Sequence, residues 1–571
     1  MSSVAGRAPF LLGLADTVRR ISHRLWQWRP HASVELLALL AGLFFALGSN
    51  SPFWHAALVQ SSHPLRLACS LFAMLVGLHG LLLGLVLPRR WAKPVLLVLL
   101  LTTACATYFM QSYGVYVDAD MLQNVLQTDW AESRELMTPA IAIHVLLYAG
   151  VPCAVLSRVT VTRRPFRQAI AVRAGFLLSM WILVMLGTAV SFKDLSSLLR
   201  NQHEARYLVT PANVLYGLGN LVVSRPEEAV GPRVPVATDA RQVLSAGRRN
   251  PRLLVLVVGE TVRAQNWGLN GYRRQTTPGL ARQEVINFGD MHACGSNTEV
   301  SLPCMFSPNG REGYDRGKIL SQQSLLHVLQ RVGVDVWWRD NQSGCKGVCE
   351  GLKFASVTAS STGACNGPRC LDEALLENLP VDARSSSGRL PGDRLLGLHM
   401  LGNHGPDYSQ RYPPEFRRFL PACETPELGE CSRAEIVNAY DNALLYTDHV
   451  LSETIARLRE VDAYDTALLY VSDHGESLGE QGLYLHGMPY AIAPQEQLQV
   501  PMVMWFSPRF AAGAGLDIAC LQHRARLPAS HDDLFSTVLG LFDVQTAART
   551  AERDLLSGCR ADASLTHRGA A

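Results

Sequence analysis

The sequence predicts a chain in two parts: an N-terminal bundle of five transmembrane helices within residues 1–192, and a C-terminal α/β domain at residues 250–571 on a largely parallel sheet. A connector at 193–249 joins them. Three observations predict this. Long apolar runs crowd the first third of the 571 residues, and charged residues are only 18% of the whole, below the roughly 25% of an ordinary soluble protein. Lys and Arg are distributed unevenly between alternate loops of that apolar third. Beyond residue 250, short β-branched and leucine runs alternate with helical patterns, as in a sheet covered on both faces.

The five runs are Leu36–Trp54, Leu67–Leu87, Pro94–Ser112, Pro139–Ser157 and Ala174–Phe192. Each approaches the length of about 20 residues that a spanning helix needs. Phe10–Ala15 is too short for the apolar region of a cleaved signal and runs into Arg19, Arg20 and Arg24. The N-terminal tail adds Arg7 and Arg29, the second–third loop carries Arg89, Arg90 and Lys93, and the fourth–fifth loop carries Arg158, Arg163, Arg164, Arg167 and Arg173. The other two loops hold only Arg66 and Arg134. The positive-inside rule then puts the N-terminus in the cytoplasm, and five crossings place everything after residue 192 on the far side.

Cysteine usage agrees. Cys69, Cys105 and Cys153 fall in the apolar runs, and the rest lie beyond residue 290. Cys294/Cys304, Cys345/Cys349, Cys365/Cys370 and Cys423/Cys431 are close couples, with Cys520 and Cys559 left over. Even counts and short spacings read as disulfides of an oxidising compartment. A zinc knot of Cys345, Cys349, Cys365 and Cys370 is the competing reading. A net charge of +3, without a basic tract interleaved with aromatics, argues against nucleic acid as partner.

The third–fourth loop, Tyr113–Thr138, differs from the other short loops. Asp118 or Asp120 could cap a helix starting near Met121. On it Asn124, Thr128 and Glu132 would form one polar stripe at i, i+4 and i+8. In the connector, Asp194–Leu208 has the pattern of an amphipathic surface helix, and Pro-rich sequence follows from Arg225 to Val236. Strands are expected at Arg252–Gly259, Val334–Trp338, Leu395–Met400, Ala467–Ser472 and Val500–Phe506, and helices at Gln322–Val332 and Ala434–Arg459. Asp382–Asp393 reads as a small polar loop.

Functional groups of such sheets gather at the carboxyl ends of strands. Glu260 ends the first strand, and Asp473-His474 end a later one. With His404 and His486, both beside glycine, they offer the oxygen and nitrogen donors that zinc accepts. A hydroxyl nucleophile would need such a metal or a base to become an alkoxide. Ser296, Thr298 and Ser301 lie between Cys294 and Cys304, and composition does not choose among them.

Several motifs occur together in one order: Asn124-x3-Thr128-x3-Glu132, Gly259-Glu260-Thr261-x-Arg263-Ala264, Asn270-Gly271-Tyr272, the Cys294–Ser307 segment, Trp338-Arg339-Asp340-Asn341, Gly402–Pro406, Asn438–Asn442, and Ser472 through His486-Gly487-Met488-Pro489. In this the chain resembles the lipid A phosphoethanolamine transferases, the family that includes the mobile colistin-resistance enzymes. The resemblance implies the alkaline phosphatase and sulfatase fold, and it singles out Thr298 as nucleophile. It implies one tightly bound zinc on Glu260, Thr298, Asp473 and His474. Lys346, His399, His404 and His486 would surround the phosphoryl group or a second zinc, and Asn124, Thr128 and Glu132 would contact the substrate head group. The implied donor is phosphatidylethanolamine, the acceptor lipid A, and the setting a monomer in a bacterial inner membrane with its catalytic domain in the periplasm.

One departure stands beside the nucleophile. Where the family reads Gly-Thr-x-Thr-Ala, this chain has Gly295-Ser296-Asn297-Thr298-Glu299. Glu299 would either repel an anionic acceptor or hold the ammonium of a donor. Three other functions compete: the same transfer to a core sugar of lipopolysaccharide, a phosphoglycerol transferase or hydrolase, and a non-enzymatic sensor or scaffold. The last would predict missing ligands, yet Glu260, Thr298, Asp473 and His474 are all present.

Overall fold

The computed structural model describes residues 29–58, 64–128, 130–192, 195, 207–223, 233–244, 248–357, 364–366, 369–377, 379 and 392–560. The expected surface helix Asp194–Leu208 and the polar loop Asp382–Asp393 lie almost wholly outside them, as does most of Arg225–Val236. The chain divides into two units, Met1–Gln111 with Pro139–Leu215, and Ser112–Thr138 with Tyr216–Ala571.

The first unit is helical. Pro64–Val86, Ala92–Tyr113, Pro139–Arg158 and Phe166–Val190 are each long and apolar enough to cross a membrane. The expected first span is instead two helices, Val34–Gly48 and Ser51–Leu58, bent by 59°. The break falls at Asn50, whose amide nitrogen bonds the carbonyls of Phe45 and Thr210 at 2.7 and 2.9 Å. Such a side chain competes with the helix ladder, and Pro52 suits the first turn of a new helix. Four spans are therefore present among the described residues, or five if the bent pair is one. Helices Pro64–Val86 and Phe166–Val190 approach closely along a line of glycines. A Cβ on Gly77 would stand 2.7 Å from Val184 Cγ2, and one on Gly80 2.5 Å from the Met180 sulfur. Small residues of this kind let two apolar helices pack backbone to backbone.

The second unit begins with helix α1, Ala119–Gln127. Asp118 caps it, accepting from Met121 N at 2.8 Å. The polar stripe does not form as one helix. Thr128 leaves helical geometry at ψ 128°, and a separate helix α2 runs Trp130–Glu135. Thr128 is β-branched and turns its hydroxyl back onto the Asn124 carbonyl at 2.8 Å, a pairing that weakens a helix.

The central sheet has eight strands: β1 Arg252–Gly259, β2 Ile286–His292, β3 Asp335–Asp340, β4 Lys353–Ser356, β5 Arg394–His399, β6 Asp465–Ser472, β7 Gln499–Phe506 and β8 Ala529–Ser530. Their order is β8-β2-β7-β6-β1-β5-β3-β4. Strands β6, β1, β5, β3 and β4 are mutually parallel. Strand β7, expected in the sheet, runs antiparallel to both β6 and β2. Strand β2 carries little signal in the sequence because Asn287, Gly289 and Asp290 interrupt its apolar residues. It buries only Ile286, Phe288 and Met291, across a register shift. Every residue of β1 and β6 is buried. Side chains alternate between faces, so both faces of the sheet are covered. Helix α3 is Thr298–Met305, α4 Leu325–Arg331 and α5 Arg433–Arg459. Leu325 and Leu329 of α4 share one core with Leu254, Leu256 and Val258 of β1.

Disulfides join Cys294–Cys304, Cys345–Cys349, Cys365–Cys370, Cys423–Cys431 and Cys520–Cys559, which leaves no thiols for a zinc knot. Cys69, Cys105 and Cys153 are free. The Cys520–Cys559 bridge spans 39 residues. By loop-closure entropy its loss costs up to about 4 kcal/mol. The double Cys520→Ser/Cys559→Ser protein is expected to melt several degrees lower, while mutation of the four-residue Cys345–Cys349 bridge has a smaller effect; differential scanning calorimetry checks the order.

Candidate active site

Four adjacent parallel strands deliver four groups to one end of the sheet. Ser472 of β6 pairs with Gly259 of β1, His399 of β5 with Val258, and Asp340 of β3 with His399. The next residues after β6 and β1 are Asp473-His474 and Glu260, so the register itself brings these side chains together. The turn after β1 is tight. Gly402 has φ 54°, and a Cβ there would lie 2.6 Å from the Glu260 carbonyl. Thr261 also has positive φ, and Tyr440 of α5 donates to its carbonyl at 2.6 Å.

The three hydroxyls of the cysteine-pinned segment are now distinct. Ser296 donates to the Met488 carbonyl at 2.5 Å. Ser301 donates to the Asp473 carbonyl. Thr298 faces the acidic cluster: its Oγ1 lies 3.1 Å from Glu260 Oε2 and 3.3 Å from His474 Nε2. It is the first residue of α3, with Asn297 as the cap accepting from Val300 N at 3.0 Å. The first-turn dipole favours an anionic oxygen there.

Glu260, Asp473 and His474 present ligand atoms all within 4.8 Å of one another, and all three are fully buried. Their charges interact strongly. Burial opposes charge on Glu260, but the hydrogen bond and charge of His474, with His404 and His486, hold it well below the ordinary carboxylate range. Burial pushes Asp473 up to about 6, and the charge of Glu260 adds to it. Burial also opposes charge on His474, yet Asp473 and the bond to Glu260 outweigh it and push it up to about 10. The charge of Glu260 opposes that of Asp473, and the charge of His474 favours both. Asp473 Oδ2 is buried without a hydrogen-bond partner among the described residues. Two carboxylates, an imidazole and a hydroxyl fit a zinc site in donor type and closeness.

Four histidines are oriented alike. Nδ1 of His474 donates to the Gly475 carbonyl at 2.9 Å, and Nδ1 of His404 to the Gly405 carbonyl at 2.7 Å. Nδ1 of His399 meets Asp340 Oδ1 at 2.8 Å, and Nδ1 of His486 meets Glu476 Oε2 at 2.8 Å. Each acceptor fixes the proton on Nδ1 and leaves Nε2 to a ligand or reactant. The His474 and His486 rings are 4.5 Å apart, and those of His404 and His486 5.4 Å. The orienting residues Asp340 and Glu476 were not recognised from the sequence, nor was Gln342, which donates to Glu260 Oε2 at 3.0 Å. A signal for Glu476 existed in its place three residues after Asp473 on the same strand end.

Lys346 joins this site through its loop. Its ammonium donates to Ser343 Oγ at 2.8 Å and pairs with Glu299 Oε1 at 2.5 Å. Helix α1 meets the same carboxylate: with its amide nitrogen turned toward Glu299, Gln127 donates to Oε1 at 3.0 Å. Asn124 and Thr128 stand on and just beyond α1. The side chain of Glu132 lies outside the described residues. Nearby, Arg411 donates to the His404 carbonyl at 2.7 Å and pairs with Glu135. Arg411 and Glu135, with Arg134, Ser409 and Arg417, line a cavity of about 680 Å³.

Fold and site place the second unit in a recognised class: residues 252–544 match the sulfatase family, and residues 75–225 match the phosphoethanolamine transferase EptA/EptB family. The chain is 37% identical over 543 residues to phosphoethanolamine transferase EptA of Escherichia coli K12, covering 93% of this chain and 98% of that one. It is 36% identical over 545 residues to the phosphatidylethanolamine transferase Mcr-1 of Escherichia coli, covering 93% and 98%. Its structure superposes with TM-score 0.88 and 36% identity on the integral membrane lipooligosaccharide phosphoethanolamine transferase A of Neisseria meningitidis, covering 93% and 99%. The chain therefore belongs to the phosphoethanolamine transferase family.

Asp473→Asn keeps the shape of the cluster and removes one of its two like charges. The variant is expected to lose tight retention of a divalent cation, read by elemental analysis of purified protein. Its chelator-treated form should melt a few degrees above chelator-treated wild type, because less charge repulsion is buried.

Proposed function

We propose that this chain transfers phosphoethanolamine from phosphatidylethanolamine to a phosphate of lipid A, through a covalent phosphoethanolamine–Thr298 intermediate. The observation that carries the mechanism is that Thr298, alone of the three candidate hydroxyls, faces Glu260 and His474. The same reading makes it a five-span protein of the bacterial inner membrane, acting as a monomer with its catalytic domain in the periplasm. The uneven Lys and Arg content of the loops and the five disulfides support that topology.

One zinc ion held by Glu260, Thr298, Asp473 and His474 would supply Lewis acidity, lowering the pKa of the Thr298 hydroxyl as it does that of bound water. Thr298 Oγ1 attacks phosphorus, the bond from phosphorus to the diacylglycerol oxygen breaks, and diacylglycerol leaves with a proton. Lys346 and the Nε2 atoms of His399, His404 and His486 surround the phosphoryl oxygens and stabilise charge developing on them. In the second step an oxygen of a lipid A phosphate attacks the intermediate and frees Thr298. Asn124, Thr128 and Glu132 contact the head group. Because donor and acceptor are both lipids, an anchored enzyme avoids the cost of extracting either from its bilayer.

Transfer to lipid A sets an ammonium beside each modified phosphate, so the cell surface attracts cationic peptides such as polymyxins less strongly. Mass spectrometry of lipid A from cells with and without the expressed protein is expected to show the added phosphoethanolamine, with a parallel gain in polymyxin resistance. An addition found on a core sugar instead would reassign the acceptor. Thr298→Ala is expected to reduce transfer on the order of 10⁴-fold or more and to abolish the mass adduct on the protein. Wild type should show ping-pong kinetics.

A further inference from the structure

Each carboxylate facing the site has an assigned partner. Glu260 and Asp473 face Thr298 and His474. Asp340 accepts from His399 and from the Trp338 indole. Glu476 accepts from His486 and the Tyr408 hydroxyl. Glu299 differs among the described residues: its partner, Lys346, is the cation that the proposed reaction assigns to the phosphoryl group. Glu299 directly follows Thr298, and the Glu299 and Lys346 side chains are only 4% and 9% exposed. Lys346 is tied to the site from a second direction. Gln342 of the same loop bonds Glu260, and Ser343 accepts from the lysine itself.

A buried ion pair is stable as a pair, and drawing one member away leaves the other uncompensated. If Lys346 turned to an arriving phosphoryl anion, Glu299 would be stranded. A ligand carrying both charges removes the difficulty, since it inserts between the two. We propose that Glu299 is a further specificity-determining residue, one that holds the ammonium of the donor head group. In the resting protein it pairs with Lys346. On binding, the zwitterion divides the pair, ammonium to Glu299 and phosphoryl oxygen to Lys346, and the net charge of the buried site is unchanged. Helix α1 reinforces the choice. It ends at Gln127, whose amide reaches Glu299, and a helix C-terminus favours a cation. An anionic or uncharged head group gains no such exchange and leaves the Glu299 charge opposing it. This rests on the phosphoethanolamine reading above and deepens it.

The test compares diacylglycerol release from phosphatidylethanolamine and from phosphatidylglycerol, each in detergent micelles, by the full-length zinc-loaded protein and its E299Q variant. Wild type is expected to prefer phosphatidylethanolamine. In E299Q that preference narrows at least about ten-fold, the size of one lost charge-assisted contact, with KM for phosphatidylethanolamine rising more than kcat falls. Glu299→Asp, which keeps the charge, retains most of the preference and provides a second variant should E299Q lose its melting transition. An unchanged donor ratio in E299Q, with both rates lowered alike, overturns the inference and makes Glu299 a pin for Lys346 and α1. A wild type that releases nothing from phosphatidylethanolamine overturns the assigned activity itself.

Discussion

Two carboxylates that touch one imidazole at zero solvent exposure set the terms for the whole second unit. Glu260 and Asp473 share His474, and two like charges cannot stand side by side in the interior without a cation between them. The fold assembles them regardless, because backbone pairing does it: β6 and β1 are parallel neighbours that end at the same level. The energy for holding that arrangement comes from elsewhere, from the fully buried strands on which the two acids end. The site is thus a concentration of like charge placed at the ends of fully buried strands, which suits it to a cation.

Backbone strain follows the same pattern. Of the six described non-glycine residues with positive φ, three stand at the site: Thr261 follows Glu260, Lys346 pairs with Glu299, and Leu485 precedes His486. Left-handed geometry costs such residues on the order of 1 kcal/mol each, and it persists only where the surroundings enforce it. The surroundings are on hand: the Tyr440 hydroxyl on the Thr261 carbonyl, the Cys345–Cys349 bridge around Lys346, and the Ser296 carbonyl accepting from Gly487 N at 2.7 Å just past His486.

Much of this was legible in the sequence, and the exceptions have reasons. β1 was readable to the residue because a strand buried on both faces is a continuous apolar run. β2 was not, since a strand that buries three residues across a bulge leaves no period to detect. The bend at Asn50 was hidden because hydropathy averages over a single polar residue, although one amide bonding two carbonyls is enough to break a helix. The Asn124, Thr128 and Glu132 spacing fits helical periodicity, but periodicity carries no information about Thr128 turning its hydroxyl onto Asn124. The ligand types at the site were visible at strand ends. The choice of Thr298 over Ser296 and Ser301 was not, since it depends on which carbonyls the two serines find across 192 and 172 residues of chain.

The burial of Thr298, only 6% exposed, constrains how a lipid can react there. A head group can enter such a site, but the acyl chains of two lipids cannot converge on it at once. In the proposed mechanism a covalent intermediate resolves this, because donor and acceptor then visit the same oxygen in turn and need never be bound together. The first visitor is a zwitterion and the second a phosphate anion, so the charge the site must accommodate changes between the steps. If Glu299 holds the donor's ammonium as proposed, its negative charge is still compensated by the phosphoethanolamine on Thr298 when the anionic acceptor arrives. In that proposal the cargo takes the place of Lys346 as the partner of Glu299, so the carboxylate is compensated both in the resting protein and when the acceptor arrives.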